Sequence, residues 1–255
     1  MQTLTTTVRC YQLIFIVLCT AALFACGEDD QSPVGSSNIL DGDAPLKVSP
    51  IERGFQIVIG PFDVPAGQET QKNFYVKFPS DQDVYVNKVE FDYNPGSHHL
   101  NIFKSDNLDV PDHIEDTFNA IQWEAWDLVT ASQREKLAWT MPPGVAFHLK
   151  PHQQMDFQVH YVNATTQKTP GGQGKATITF HIIDQKNVTA LVGAVFANNK
   201  KVVLSPRTEA TFSKVVKPFS TDVNILWMTG HFHSQGKLFK VSRWDGTQIG
   251  AEVYS

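Results

Sequence analysis

The chain has 255 residues, 42% of them hydrophobic, which suits one large or two modest folded domains. Its formal net charge of −5 argues against nucleic acid as a partner, because polyanions are bound mainly through an excess of Lys and Arg. The three cysteines, Cys10, Cys19 and Cys26, all lie near the N-terminus, so the rest of the chain offers no disulfide and no thiolate metal site.

Residues 1–25 are predicted to be an export signal, because one basic residue, Arg9, precedes an apolar run from Leu13 to Ala25. The run is short for a membrane span and has the length of a signal-peptide core. It ends in Leu23-Phe24-Ala25-Cys26, which resembles the lipobox of bacterial lipoproteins. The resemblance implies cleavage before Cys26, lipidation of that cysteine, and anchoring to a bacterial membrane facing the periplasm or cell exterior. A plain secretory signal is the alternative.

Residues 26–45 are expected to be the lipidated cysteine and a flexible tether, because acidic residues, Ser, Gly and Pro dominate there. From Leu46 onward, short β-branched and aromatic runs alternate with turns that contain Gly and Pro, which is typical of an all-β fold. We predict two consecutive antiparallel β-sandwich, jelly-roll-like domains, 46–184 and 185–255. The second ends inside a strand pattern, so we expect it to be incomplete and the chain to be truncated at its C-terminus.

A polar stretch from Ser105 to Lys136 interrupts the first domain. We expect it to lie over the sandwich as a loop, with short helices around 114–126 and 131–137 and no part in the chemistry.

Histidine spacing gives the candidate site. His98 and His99 follow a Pro95-Gly96 turn, and neighbours in a regular strand face opposite ways. Both rings reach one ion only where the strand is bulged or begins after a turn. Further on, alternation sends Phe157, Val159 and Tyr161 to one face and Gln158 with His160 to the other. A polar site backed by an apolar core is the expected result.

The stretch from Gly230 to Lys237 contains a second pair, His231 and His233, which would project together from a strand. Two neutral imidazoles so placed can bind one transition metal, although two ordinary hydrogen-bonded histidines are the alternative. Met228 points away from this pair in a strand and is expected to pack in the core. The remaining histidines have no comparable spacing and are expected to be ordinary surface or core residues: His113, His148, His152 and His181.

Together these groups resemble the copper type II, ascorbate-dependent monooxygenases, the family of peptidylglycine α-hydroxylating monooxygenase and dopamine β-monooxygenase. The resemblance covers about Leu46 to Ser255. It rests on four features in the family's order: His98-His99 before an apolar strand, Pro143-Gly144-Val145-Ala146-Phe147, Gln158-Val159-His160-Tyr161, and His231-Phe232-His233 before Gly236-Lys237. It implies two coppers in two β-sandwich domains, with ascorbate or a similar reductant and O2 as co-substrates.

By motif match, His98, His99 and His160 would hold the electron-storing copper, with Gln158 supporting its ligands. His231 and His233 would be the catalytic pair, holding the copper that binds oxygen and hydroxylates a C–H bond of a small organic or peptide-like substrate. The family's oxygen-side copper also takes a methionine from a later strand, and none follows His233 here. The peptide-hydroxylating members carry an arginine where this chain has Thr229, so hydroxylation of a C-terminal glycine is unsupported.

Two other functions stay open at this point. A non-catalytic copper-binding lipoprotein would keep the scaffold and one copper at the first three histidines. A zinc hydrolase is less favoured, because no Asp or Glu stands beside the metal motifs in the sequence to act as a base.

Overall fold

The computed structural model describes residues 5–9, 12–18, 32–118, 125–164, 172–197, 199, 202–216, 219–230 and 236–255. Within these ranges the fold is all-β, as predicted, and the helical content is one 3-10 turn, Gln185–Asn187. No helix in this part of the chain is long and apolar enough to cross a membrane. The strands are β1 (Thr5–Arg9), β2 (Gln12–Leu18), β3 (Ser37–Leu40), β4 (Leu46–Ile51), β5 (Gly54–Asp63), β6 (Glu69–Lys77), β7 (Val84–Tyr93), β8 (Ser97–Ser105), β9 (His113–Asp116), β10 (Asp127–Ser132), β11 (Lys136–Thr140), β12 (Val145–Leu149), β13 (Gln154–Val162), β14 (Gln173–Ile182), β15 (Ala190–Ala197), β16 (Lys214–Val215), β17 (Asn224–Gly230), β18 (Lys240–Trp244) and β19 (Ile249–Tyr254).

The chain divides into two compact units. The first unit is Cys19–Val192, and the second unit combines Met1–Leu18 with Gly193–Ser255. The division falls inside β15, a few residues after the Asp184 boundary expected from the sequence. The residues expected to form the leader contribute β1 and β2 to the second unit.

The first unit contains two sheets. One sheet has the strand order β10-β8-β13-β6-β9 and is antiparallel throughout. The other follows the order β12-β7-β14-β5-β4-β3, with β11 pairing β7 and the start of β15 running parallel to β12. Strands that are distant in sequence are therefore neighbours, and β13 lies at the centre of the five-stranded sheet.

Aromatic side chains fill the space between the two sheets. Phe55 of β5 stacks on Phe180 and tilts against Phe78, with ring centres 4.8 Å apart in both pairs. Phe62 of β5 meets Phe74 of β6 across the sheets at 6.4 Å. All five rings are buried. Burial of this size contributes roughly 1.5–3 kcal/mol per side chain, so the first unit has a substantial core of its own.

Two sequence-based expectations are corrected in the first unit. Part of the expected tether is folded: β3 pairs with β4, and Val34 is buried and bridges to Ser80. The helix expected around 131–137 is absent, because β10 pairs with β8 and β11 pairs with β7 in this stretch. Of the helix expected around 114–126, the first residues belong to strand β9, which pairs with β6 at the edge of the sheet, and residues 119–124 lie outside the described residues. Partner strands far away in sequence overrode the weak local pattern in each case.

The second unit has a four-stranded sheet of order β16-β1-β18-β19, and β17 pairs with β2. Among its described residues, Phe239 and Val241 form a small buried apolar cluster. Val216, Met228 and Tyr254 pack against this cluster. The expectation that Met228 serves core packing is therefore confirmed.

Candidate metal centre

A β-bulge places both residues of the His98-His99 pair on one side of β8. The register between β13 and β8 runs to the His160–His99 pair and then shifts so that Tyr161 faces Ser97. His98 is thus the extra residue of a bulge, and the alternation that would separate the two rings is broken there. The histidine spacing requires a bulge or a turn for both rings to reach one ion, and the structure has a bulge at this position.

The turn before the bulge requires a glycine. Gly96 has φ +95, a left-handed conformation that side chains with a Cβ rarely adopt. A Cβ at Gly96 would lie 2.9 Å from Val162 O and 3.0 Å from the Tyr161 ring. The Tyr161 hydroxyl donates to Pro95 O, and Val162 N donates to Gly96 O at 2.8 Å. These bonds fix the start of β8 on β13, beside His160.

Three imidazole rings converge at this place. The ring centres of His98 and His99 are 5.3 Å apart, and each lies 5.0 Å from the ring centre of His160. His98 is exposed, whereas the side chain of His160 is 14% exposed. The face of the five-stranded sheet that carries Gln158 and His160 is called the polar face below.

Glu69 holds the His160 ring from the side. Glu69 Oε2 lies 3.2 Å from His160 Nε2. Burial lowers the pKa of the His160 imidazole, the hydrogen bond with Glu69 opposes that shift, and the neighbouring His98 ring lowers the pKa further. The neutral form is favoured, and a neutral ring that donates Nε2–H to Glu69 keeps its free lone pair on Nδ1.

Gln158 acts on the site through a neighbouring amide. Asn101 Nδ2 donates to Gln158 Oε1 at 2.9 Å and lies 3.4 Å from His99 Nδ1. Asn101 and His99 are both on β8, and Asn101 lies directly opposite Gln158 of β13. Gln158 therefore positions Asn101, which in turn contacts the His99 ring.

The spacing of the rings fits a common metal ion, although the donor atoms are not yet aligned. Three imidazoles around a tetrahedral ion, with metal–nitrogen bonds of about 2.0–2.1 Å, have ring centres about 5 Å apart. In the part of the chain that the structure describes, no group of three or more His, Cys, Asp or Glu side chains is already arranged to hold a metal. Binding would therefore require the rings to rotate while the bulge and backbone stay in place.

The expected oxygen-side pair, His231 and His233, lies outside the described residues, and so does the expected lipidation site, Cys26. Thr229 lies in β17, which ends at Gly230 directly before that pair. The structure therefore brings together the first three predicted ligands and leaves the last two as predictions.

The remaining histidines each contact a carbonyl or carboxylate outside the site. His113 Nδ1 lies 2.7 Å from Pro111 O, and His148 Nε2 lies 2.6 Å from Asp83. His152 pairs with Asp81 at 3.0 Å, and His181 pairs with Glu90 at 2.8 Å. That these four are ordinary surface or core histidines stays a prediction.

Sequence reasoning missed three neighbours of the site. Glu69 and Asn101 reach it through β6 and β8, and the ring of Phe118 meets His160 edge-on at 5.6 Å. Phe118 is 59% exposed and is the large exposed apolar residue of the described part of the first unit. Alternation along β6 places Glu69 on the face opposite the buried Phe74 and Val76, which is a weak signal. The strand order is what brings Glu69 next to His160.

Comparisons with protein-family models, with curated proteins and with solved structures returned no match for this chain.

Proposed function

We propose that this chain is a copper-dependent monooxygenase of the copper type II, ascorbate-dependent kind, exported and anchored by lipid at Cys26. The observation that carries the proposal is the trio His98, His99 and His160, with ring centres 5.0–5.3 Å apart. Neutral imidazoles suit copper in both of its common oxidation states. Bound there, copper would supply one-electron redox chemistry.

The neighbouring residues prepare the trio for this role. Glu69 accepts a hydrogen bond from His160 Nε2–H, which leaves Nδ1 as the atom that can bind a metal. Asn101, on the same strand as His99, contacts the His99 ring, and Gln158 on the neighbouring strand β13 holds the Asn101 amide in place. Burial lowers the pKa of His160, which favours the neutral, metal-binding form of its ring at neutral pH.

Copper binding tests the first half of the proposal. The purified chain should bind copper with nitrogen ligation visible in the electron paramagnetic resonance spectrum of Cu(II). His160→Ala should remove the part of that signal that comes from the first site, whereas His181→Ala, which changes a histidine paired with Glu90 on another sheet, should leave the whole signal unchanged. Glu69→Gln should weaken copper binding by about 10- to 100-fold, as expected for a residue that orients a ligand. Unchanged copper affinity in His160→Ala would overturn the site.

Oxygen consumption tests the second half. With ascorbate and a panel of small organic and peptide-like substrates, the full chain should consume O2, and His231→Ala should abolish this while copper at the first site remains. Copper binding without turnover across the panel would contradict a catalytic function.

A non-catalytic copper-binding lipoprotein is the second candidate. It is favoured by the fact that all three histidines of the trio and Glu69 belong to the first unit, whose core is its own. It predicts one copper per chain and no change of any activity on His231→Ala. Glu69 also gives the zinc-hydrolase alternative a nearby carboxylate, but its bond to a ring nitrogen suits a residue that orients a ligand better than a base. Zinc that displaces copper and supports hydrolysis would favour that alternative.

A further inference from the structure

Two buried oxygen atoms on the polar face, Asn73 Oδ1 and Asp156 Oδ1, accept no hydrogen bond from any described residue. Asp156 lies on β13 and Asn73 on the adjacent strand β6, and both side chains are almost completely buried. The other two polar atoms of the pair are joined, since Asn73 Nδ2 donates to Asp156 Oδ2 at 3.1 Å. Buried acceptors without donors are costly and rare in folded proteins.

An ionised carboxylate has little support in these surroundings. Asp156 is fully buried, and one amide N–H is the hydrogen bond that it receives. A buried charge needs a counter-charge or several donors. The charge that acts on it is the carboxylate of Glu115, which has the same sign. On the other side, the register partner on β8 is the apolar residue Phe103.

A single proton would satisfy both orphan atoms. A carboxylic acid and a primary amide can form two hydrogen bonds at once, with the acid O–H donating to the amide oxygen and the amide N–H donating to the acid carbonyl. We propose that Asp156 is a neutral carboxylic acid in the folded protein and that its proton lies between Asp156 Oδ1 and Asn73 Oδ1. The pair then forms a cyclic bridge between β13 and β6, and this bridge is independent of the copper proposal.

The groups around the pair agree with a neutral acid. Burial raises the pKa of the Asp156 carboxyl well above its usual range, the hydrogen bond from Asn73 acts against this, and Glu115 adds to the rise. Burial first and Asp156 second raise the pKa of Tyr75 to about 12, so this neighbour is neutral as well. Asn73 Nδ2 lies 3.2 Å from the Tyr75 hydroxyl, and His113 stacks on Tyr75 at 4.8 Å.

The proposal fixes the sign of a pH effect. A proton held more tightly in the folded state than in the unfolded chain stabilises the fold fully below the unfolded pKa of about 3.9. That stabilisation is lost progressively as the pH rises towards the folded pKa. Raising the pH should therefore weaken the bridge between β13 and β6.

The test is Asp156→Asn in the full chain. Two amides can form the same cyclic pair without an ionisable proton, so this variant should fold. Its thermal unfolding midpoint should equal that of the wild type in acid and exceed it by a margin that grows with pH. Asp41→Asn is the matched control, because Asp41 is exposed. The difference between its thermal unfolding midpoint and that of the wild type should not change with pH.

A second measurement does not depend on the variant. The wild type at neutral pH should show the infrared carbonyl band of a protonated, buried carboxylic acid, with an isotope shift in D2O, and Asp156→Asn should lack this band. Absence of the band in the wild type would overturn the proposal in favour of an ionised Asp156 joined to Asn73 through water. A midpoint difference that does not grow with pH would overturn it in the same way.

Discussion

The two units differ in how their apolar side chains are covered. In the first unit, phenylalanines from both sheets are buried against one another, and Phe118 is its exposed large apolar residue in the part described. In the second unit, the described buried cluster is Phe239 with Val241. Its exposed large apolar residues are Val203, Leu204, Val215, Ile225, Leu238, Ile249 and Val253.

This contrast bears on where a site can be held accurately. Side chains keep a fixed geometry when the strands beneath them are locked by close packing. The histidine trio lies on strands whose opposite face is fully buried: Phe157, Val159 and Tyr161 lie beneath Gln158 and His160. The first unit can therefore maintain its site from its own residues, whereas the described residues of the second unit supply much less packing.

Truncation of one core phenylalanine in each unit gives the largest expected effect. Phe157→Ala should reduce the free energy of unfolding by about 3–5 kcal/mol, because it removes a fully buried ring from the centre of the first core. Phe239→Ala removes a ring from a cluster that can collapse or fill with solvent, so its loss should be smaller. Urea unfolding followed by tryptophan fluorescence measures both. Equal losses would contradict the contrast between the two cores.

Glycine substitutions in the turns before β6 and β8 test how the core and the site are joined. Gly96→Ala and Gly67→Ala both place a Cβ on a left-handed backbone, at φ +95 and +73, and each should cost about 1–2 kcal/mol for that reason. At Gly67 nothing lies within 4 Å of the added Cβ, whereas at Gly96 the Cβ meets Val162 and Tyr161.

Gly96→Ala should therefore lose more stability than Gly67→Ala, and it alone should weaken copper binding, because the bulge at His98 would shift. Isothermal titration with copper separates the two variants. A loss of affinity in both would mean that general destabilisation, and not the turn, controls the site.

A surface substitution in the second unit gives the smallest effect. Val203 is 80% exposed, so Val203→Ser should change the free energy of unfolding by no more than about 0.5 kcal/mol. It should also raise solubility at high protein concentration, which light scattering can measure. A large loss of stability would show that this side chain is covered in solution.

The sequence predicted the elements of the site better than their surroundings. Alternation along β13 correctly separated Phe157 and Val159 from His160, and the rule that neighbours face opposite ways correctly demanded a bulge or turn at His98. The polar stretch after Ser105 was misjudged, because β10 and β11 are stabilised by pairing with β8 and β7 and not by local preference.

Other features depend on strand order, which local patterns do not encode. Glu69 is 91 residues from His160 in sequence, and Asn73 is 83 residues from Asp156. Each pair meets because β6 is the neighbour of β13. Val34 lies in a stretch rich in Ser, Gly and Pro that predicts a tether, although its side chain is buried against the fold. Topology, and not composition, made these contacts.

The bulge at His98 also decides what could be transplanted from this protein. A histidine pair copied into a regular strand would send one ring into the core, however well the letters match. Deleting one residue between Gly96 and Leu100 would keep β8 and β13 paired but would remove the bulge. Neighbouring side chains would then alternate strictly between the two faces of the sheet. The motif that could be transferred to another protein is therefore a pair of strands with a glycine turn and a one-residue bulge. A search or design based only on the spacing of histidines in the sequence would miss it.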